Sequence, residues 1–451
     1  MNFAARSSAS MGGQYGQTWA AGWKGRLCDV LGPWLWPQER GIVKSSATAS
    51  PSGSPIGDGV KVGNIRNLIH DEMSRLPKLT PVLLFFLLSV PLLPVPLTNV
   101  SLMGGSAFAA SAPVASHGVV AKPCAPSVYD ALRDTPLEAE SVLRLACKVD
   151  LTRGDLVMQN LELLGADASG VSIDCHGGVI GLPGSVPKGA PPTIRIASLR
   201  KDDGSWSVPH DIVIRNCKIY GSIHIMGLGA NGEAELVRQS SLNRNHTEYA
   251  QSVAPSGIVL DNLSIVADGP IPLYVAPGVT HVTLSHSTLQ GQTKGSAIYL
   301  DAETAHNTIS GNSFELATRS REMIAVDGSA HNVIEANSFA NAQHGGIFLY
   351  RNCGEGGTIR HQTPQHNRIA DNKFTYQDAF RPRPAIWLNA REAWRNLYCY
   401  QDPPAPFGSG ADNHSFADFN TVSGNQIIGG DADLIRDNGE NNVLSGNSIK
   451  P

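Results

Sequence analysis

Apolar and polar residues alternate in short runs through the second half of the chain, and the runs recur with the same spelling. His306-Asn-Thr-Ile-Ser-Gly-Asn-Ser-Phe314 is followed by His331-Asn-Val-Ile-Glu-Ala-Asn-Ser-Phe339 and His366-Asn-Arg-Ile-Ala-Asp-Asn-Lys-Phe374. Phe419-Asn-Thr-Val-Ser-Gly-Asn-Gln-Ile427 and Asn441-Asn-Val-Leu-Ser-Gly-Asn-Ser-Ile449 continue the series. Looser copies start at Ile212, Ile258 and Val282. A period of two is the signature of a strand with one face buried. Asn307 to Asn332 is 25 residues and Asn420 to Asn442 is 22, lengths that suit one solenoid coil of short strands. The longer steps, Asn332 to Asn367 and Asn367 to Asn420, predict coils with loops inserted at about 351–366 and 391–419. A β-propeller needs about 40 or more residues per blade and fits less well.

Each copy carries two asparagines five residues apart, such as Asn307/Asn312 and Asn372 with its partner Asn367. Stacked coil over coil, their amides hydrogen-bond into ladders, a structural role. A second apolar run follows: Ile298-Tyr-Leu-Asp301, Ile324-Ala-Val-Asp327, Ile347-Phe-Leu-Tyr350, Ile386-Trp-Leu-Asn389 and Leu434-Ile-Arg-Asp437, with Leu273-Tyr-Val-Ala276 before them. First and third residues point inward and second and fourth outward. The outward positions then predict an exposed aromatic row of Tyr274, Tyr299, Phe348 and Trp387, beside a row of Asp301, Asp327, Tyr350, Asn389 and Asp437.

The "Asn-x-Ile-x-x-Asn-x-Phe" copies and Ile173-Asp-Cys-His-Gly-Gly178 resemble the right-handed parallel β-helix superfamily, which includes pectate lyases, polygalacturonases, alginate epimerases and periplasmic carbohydrate-binding repeat proteins. The resemblance covers roughly residues 150–450. It implies an all-β, single-stranded right-handed parallel β-helix at 151–451, with a cap region at 110–150 in which Ser127–Arg133 forms a short helix. It does not carry a reaction, because one fold hosts several chemistries. The polygalacturonase Asn-Thr-Asp and Gly-His-Gly elements and the epimerase Asp-Pro-His-Asp motif do not occur here.

Upstream, Arg75 and Lys78 precede the apolar run from Val82, and Ala107-Phe108-Ala109 supplies a cleavage site. Residues 73–109 are therefore expected to be a secretory signal, with cleavage leaving no stable membrane anchor. Residues 1–72 have no period and read as a low-complexity extension or a mis-assigned start. Of seven cysteines, six follow the signal, which permits disulfides in an exported protein, periplasmic or secreted. Cys124 and Cys147 flank the cap, Cys353 and Cys399 sit in the two inserted coils, and Cys175 and Cys217 read as stacked core thiols. Charged residues make up only 16%, the net charge is −4, and there is no basic run, which speaks against nucleic-acid binding.

An aromatic face suits the apolar side of a sugar ring. Asp301 and Asp327 fall on neighbouring coils, where like charges make one take up a proton or both share a cation such as calcium. Beside them, His344, Tyr350 and Arg351 are candidates for moving a proton, and Arg383, Asn389 and Arg391 join Tyr274, Tyr299, Phe348 and Trp387 as candidate substrate contacts, arginine being suited to carboxylates. The expectation is a polysaccharide-acting protein, first a lyase or C5-acting enzyme on an acidic glycan. The alternatives are a glycoside hydrolase using Asp301 and Asp327, and a non-catalytic glycan-binding or scaffold protein. His306, His331 and His366 form a column near a turn, outside this face.

Overall fold

The computed structural model describes residues 120–135, 141–184, 190–376, 382–391, 402–430 and 432–450. The expected signal segment and Cys399 lie outside them. Each coil contributes one strand to each of three parallel sheets of ten strands. The first sheet runs from Val142–Arg144 to Ile435–Asp437, the second from Val149–Asp150 to Val443–Ser445, and the third from Leu156–Val157 to Ser448–Lys450. Between consecutive coils the strands pair in register, for example Thr283 with Thr308 and Thr308 with Val333.

The copied motif explains the core. Its isoleucine, as Ile309, Ile334 and Ile369, and its phenylalanine, as Phe314, Phe339 and Phe374, are fully buried inside the coil. Those three rings stack face to face with centroids 4.5 Å apart. Columns of identical side chains pack this way because each rung repeats the shape of the rung beneath.

The asparagine ladders form as expected. Asn307, Asn332, Asn367 and Asn420 each donate their side-chain amide to the Oδ1 of the next member, ending at Asn442, over 2.8–3.2 Å. Asn312, Asn337, Asn372, Asn425 and Asn447 make the second ladder over 2.9–3.0 Å. The same Oδ1 atoms also accept the backbone N–H of the preceding asparagine, so each amide satisfies main-chain groups that the tight turns leave without a sheet partner.

At the N-terminal end, helix α1 (Pro126–Arg133) packs on the first coil through buried Leu132, and Arg133 pairs with Asp155 at 2.8 Å. Cys124–Cys147 is a disulfide. Cys175–Cys217 is one as well, which corrects the reading of these two as free core thiols. Asp174 and Arg215 are partners across adjacent strands, so the cysteines just beyond them meet with Cα atoms 4.9 Å apart. Cys353 is also disulfide-bonded.

Candidate functional site

Three excursions leave the solenoid at the same corner, just after first-sheet strands. Residues 227–255 follow Ile223–Met226, residues 351–366 follow Ile347–Tyr350, and of the third, residues 389–391 and 402–418 are described, after Ile386–Leu388. The first holds two helices, α2 (Glu235–Ser241) and α3 (His246–Ser252), that the strand pattern did not anticipate. It is fastened to the second excursion by the Ser241 hydroxyl, which accepts the Ile359 N–H at 3.0 Å, and by buried Glu303, whose carboxylate accepts the Thr247 hydroxyl at 2.5 Å and the His361 N–H at 2.8 Å. Together these segments wall one side of the first sheet's outer face.

On that face, register places Tyr274, Tyr299, Ala325, Phe348, Trp387 and Arg436 in one column. The last coil sits one residue later than the apolar pattern implied. Leu434 is buried in the preceding turn, its carbonyl accepting the Ala385 N–H, so Arg436 neighbours Trp387, and Asp437 pairs with Leu388 away from the Asp301 column.

The aromatic row is not uniformly exposed. Tyr274, Tyr299 and Trp387 are half-buried, whereas Phe348 is buried. Ala325 is the cause: its short side chain leaves room over the sheet in which Phe348, Tyr350 and Ala390 pack with Tyr299 and Trp387 as a small apolar cluster. Arginines cover these rings. Arg321 lies over Tyr299 at 5.9 Å, Arg383 over Phe348 at 4.8 Å, Arg391 over Tyr350 at 3.9 Å and Arg436 over Trp387 at 5.3 Å from the ring centroid.

Asp301 and Asp327 are neighbours, as their register requires, and both are buried. Asp301 accepts the Tyr274 hydroxyl at 2.7 Å and the Asn231 amide at 2.8 Å. Asp327 accepts the Tyr299 hydroxyl at 2.6 Å and the Asn352 N–H at 2.8 Å. Between them stands Arg360, fully buried, bonded to Asp327 and 3.6 Å from Asp301, with its other arm on Glu355. The place that the sequence reading gives to a shared cation such as calcium is filled by this guanidinium. Burial pushes Asp301 up to about 6, against the pull of Arg360. Arg360, Glu355 and Asn231 were not anticipated; the only signal was their place in excursions that return over the Asp301 column.

The remaining candidates separate by environment. Tyr350 is fully buried; its hydroxyl donates to Glu322 at 2.7 Å and accepts from Arg321 at 2.8 Å and Arg391 at 3.2 Å. Burial raises this phenol above the ordinary tyrosine range, with Arg391 opposing. Arg351 is buried and donates to the His414 carbonyl at 2.8 Å, so it holds the loop and does not face the groove. Asn389 is likewise turned inward, accepting the Ala417 N–H at 2.7 Å and donating to the Asn438 carbonyl at 2.9 Å. His344 is half-exposed and adjoins Arg383, whose N–H donates to the Gln343 carbonyl at 3.1 Å. Partial burial, then the Arg383 charge, hold His344 below the ordinary histidine range.

One titratable group in the column has a consequence for stability. His224, paired with Tyr274, has its Nε2 buried without a hydrogen-bond partner, and burial with the Arg195 charge lowers it to about 4. The unfolded chain takes up this proton near pH 6.5 and the folded chain only near pH 4, so stability is lost as pH falls through that window, by at most about 3 kcal/mol. His224→Leu is expected to gain on the native protein below pH 6 in urea titrations. A difference that does not change between pH 4.5 and 7.5 would refute this.

Three unbroken parallel sheets with a walled outer face define a right-handed parallel β-helix protein. The family model described as the right handed beta helix region matches residues 203–380. Among solved structures, the alginate lyase from Paenibacillus sp. str. FPU-7 is 12% identical over 71% of this chain and 95% of that one, with a TM-score of 0.39. The Streptococcus pneumoniae surface protein and adhesin PfbA is 12% identical over 69% and 76%, with a TM-score of 0.34. The Azotobacter vinelandii mannuronan C-5 epimerase AlgE6 A-module is 11% identical over 69% and 89%, with a TM-score of 0.23. No curated protein matches the chain.

Proposed function

We propose that this protein is an exported lyase that cleaves an acidic polysaccharide lying along the outer face of the first sheet. The observation that carries the reading is the set of four arginine–aromatic pairs on that face. A guanidinium laid on a ring is pre-oriented for a carboxylate, which it grips bidentately. Arg321 is already paired with Glu322, and Arg391 donates to Asn352 and Tyr350, so the grip falls to Arg383 and Arg436. Arg383 precedes the strand Ile386–Leu388 and Arg436 lies in the next coil's strand, Ile435–Asp437; coils repeat at about 4.8 Å, a spacing that suits a polymer with carboxylates on successive sugars. The carboxylates of the face are consumed internally: Glu322 by Arg321 and Tyr350, Asp327 by Arg360 and Tyr299.

Of the proton-moving candidates, His344 alone combines access with a neutral imidazole at pH 7. Arg383 would hold the uronate carboxylate and stabilise the charge that develops when His344 removes the C5 proton. The electron pair forms the C4–C5 double bond, the C4–O bond breaks, and the departing oxygen takes a proton. Disulfides at Cys124–Cys147 and Cys175–Cys217 support an oxidising compartment.

The test incubates the full chain with acidic and neutral polysaccharides, with calcium and with chelator, following the ultraviolet absorbance of unsaturated uronate and new reducing ends together. Both are expected to rise on an acidic polymer only, with the rate falling as pH drops and His344 gains its proton. His344→Asn should slow turnover by roughly 10²–10⁴-fold. Reducing ends without absorbance would replace the lyase with a hydrolase, and binding without either would leave a glycan-binding protein.

A further inference from the structure

A column of exposed imidazoles runs along the corner between the first and second sheets. His281, His306, His331 and His366 stack with centroids 5.2, 5.0 and 5.0 Å apart, and Phe419 closes the column at 5.7 Å. All four histidines are exposed. Their backbones have φ of 56–59°, the left-handed region that side-chain-bearing residues seldom adopt. Asp211 and Gly257 take the same conformation at the equivalent turn of earlier coils, so the corner demands a positive φ and histidine occupies it four times in succession.

Three other histidines contrast with these. His176, His210 and His286 each meet a carboxylate, at 2.7, 3.0 and 2.8 Å. Among the described residues, none of the four column imidazole rings has a hydrogen-bond or ion-pair partner. Their ring nitrogens are therefore open to an incoming ligand.

We propose that the histidine column is a binding site for borderline transition-metal ions, copper(II) above all, each held between two neighbouring rings. Among the described residues no three His, Cys, Asp or Glu side chains converge on one point, so water completes the coordination. Imidazole is a favoured ligand for such ions, and copper(II) binds most tightly of the divalent series. At metal–nitrogen bonds of about 2.0–2.1 Å, two nitrogens sharing an ion lie at most about 4 Å apart. Exposed rings stacked at 5 Å reach that distance by tilting their edges together.

The experiment is calorimetric titration of the full chain with copper(II) alone, paired with electron paramagnetic resonance for nitrogen coupling. Native protein is expected to bind at least one ion with a two-nitrogen signature. The double variant His306→Asn, His331→Asn removes every adjacent pair while asparagine keeps the left-handed turn. It should weaken binding at least tenfold and lose that signature. The triple variant His176→Asn, His210→Asn, His286→Asn should bind as the native protein does. Unchanged binding in the double variant, loss in the triple variant, or no binding by the native chain would overturn the proposal.

Discussion

Arg360→Met is expected to destabilise the protein by about 3–5 kcal/mol at neutral pH, the usual effect of removing one partner from a buried ion pair. Arg360 is the cation that Asp301, Asp327 and Glu355 share, and its side chain is 1% exposed. Methionine fills much of the volume, so the loss reports electrostatics more than packing. It leaves buried carboxylates with hydroxyl and amide donors but no compensating charge. The pH dependence separates this from a cavity effect. Asp301 already sits at about 6 and rises further without Arg360, so protonation restores neutrality and the gap to the native protein narrows as pH falls towards 5. A gap of constant size across that range, in denaturant titrations, would mean that the guanidinium matters only as filler.

Asn372→Leu is the second large effect, about 3 kcal/mol. Asn372 is fully buried in the middle of its ladder. Its Oδ1 accepts both the backbone N–H and the side-chain amide of Asn337 at 3.0 Å, and its own amide donates to Asn425 at 3.0 Å and to the Ile334 carbonyl at 2.9 Å. Leucine matches the shape but leaves the Asn337 N–H without an acceptor and the Ile334 carbonyl without that donor, each costing about 1–3 kcal/mol. Asn447→Leu supplies the comparison, because Asn447 lies half-buried on the last rung. There the loss should be smaller by at least half. Equal losses at the two positions would show that the ladder is no stronger inside the solenoid than at its end.

The contrast between these positions indicates how far the sequence could be read. Asn372 was recognisable because the ladder is a local rule repeated: the same residue, five after its partner, in five successive coils. A solenoid stacks each repeat on its neighbour, so what one repeat does, the next must do. The inward Ile and Phe columns, the parallel pairing and the adjacency of Asp301 to Asp327 all follow from that translation. The same argument failed at the last coil, where Leu434 fills the turn and shifts Arg436 into the aromatic column.

The excursions obey no repeat, and the face depends on them. Arg360 lies outside every copied motif, yet it returns over the Asp301 column and supplies a positive charge between Asp301 and Asp327, with Glu355 on its other arm. Arg351, next to Tyr350 in sequence, is carried away to the loop carbonyls, while Arg321, Arg383 and Arg391 come from three separate turns to lie on one face. The spelling of the coils by itself determined the solenoid, its core, its ladders and its histidine corner, because those contacts join equivalent positions one coil apart. Only the tertiary structure decided which aromatic is buried, which carboxylates are already paired and which arginines remain for a ligand, because those contacts join residues with no fixed spacing along the chain.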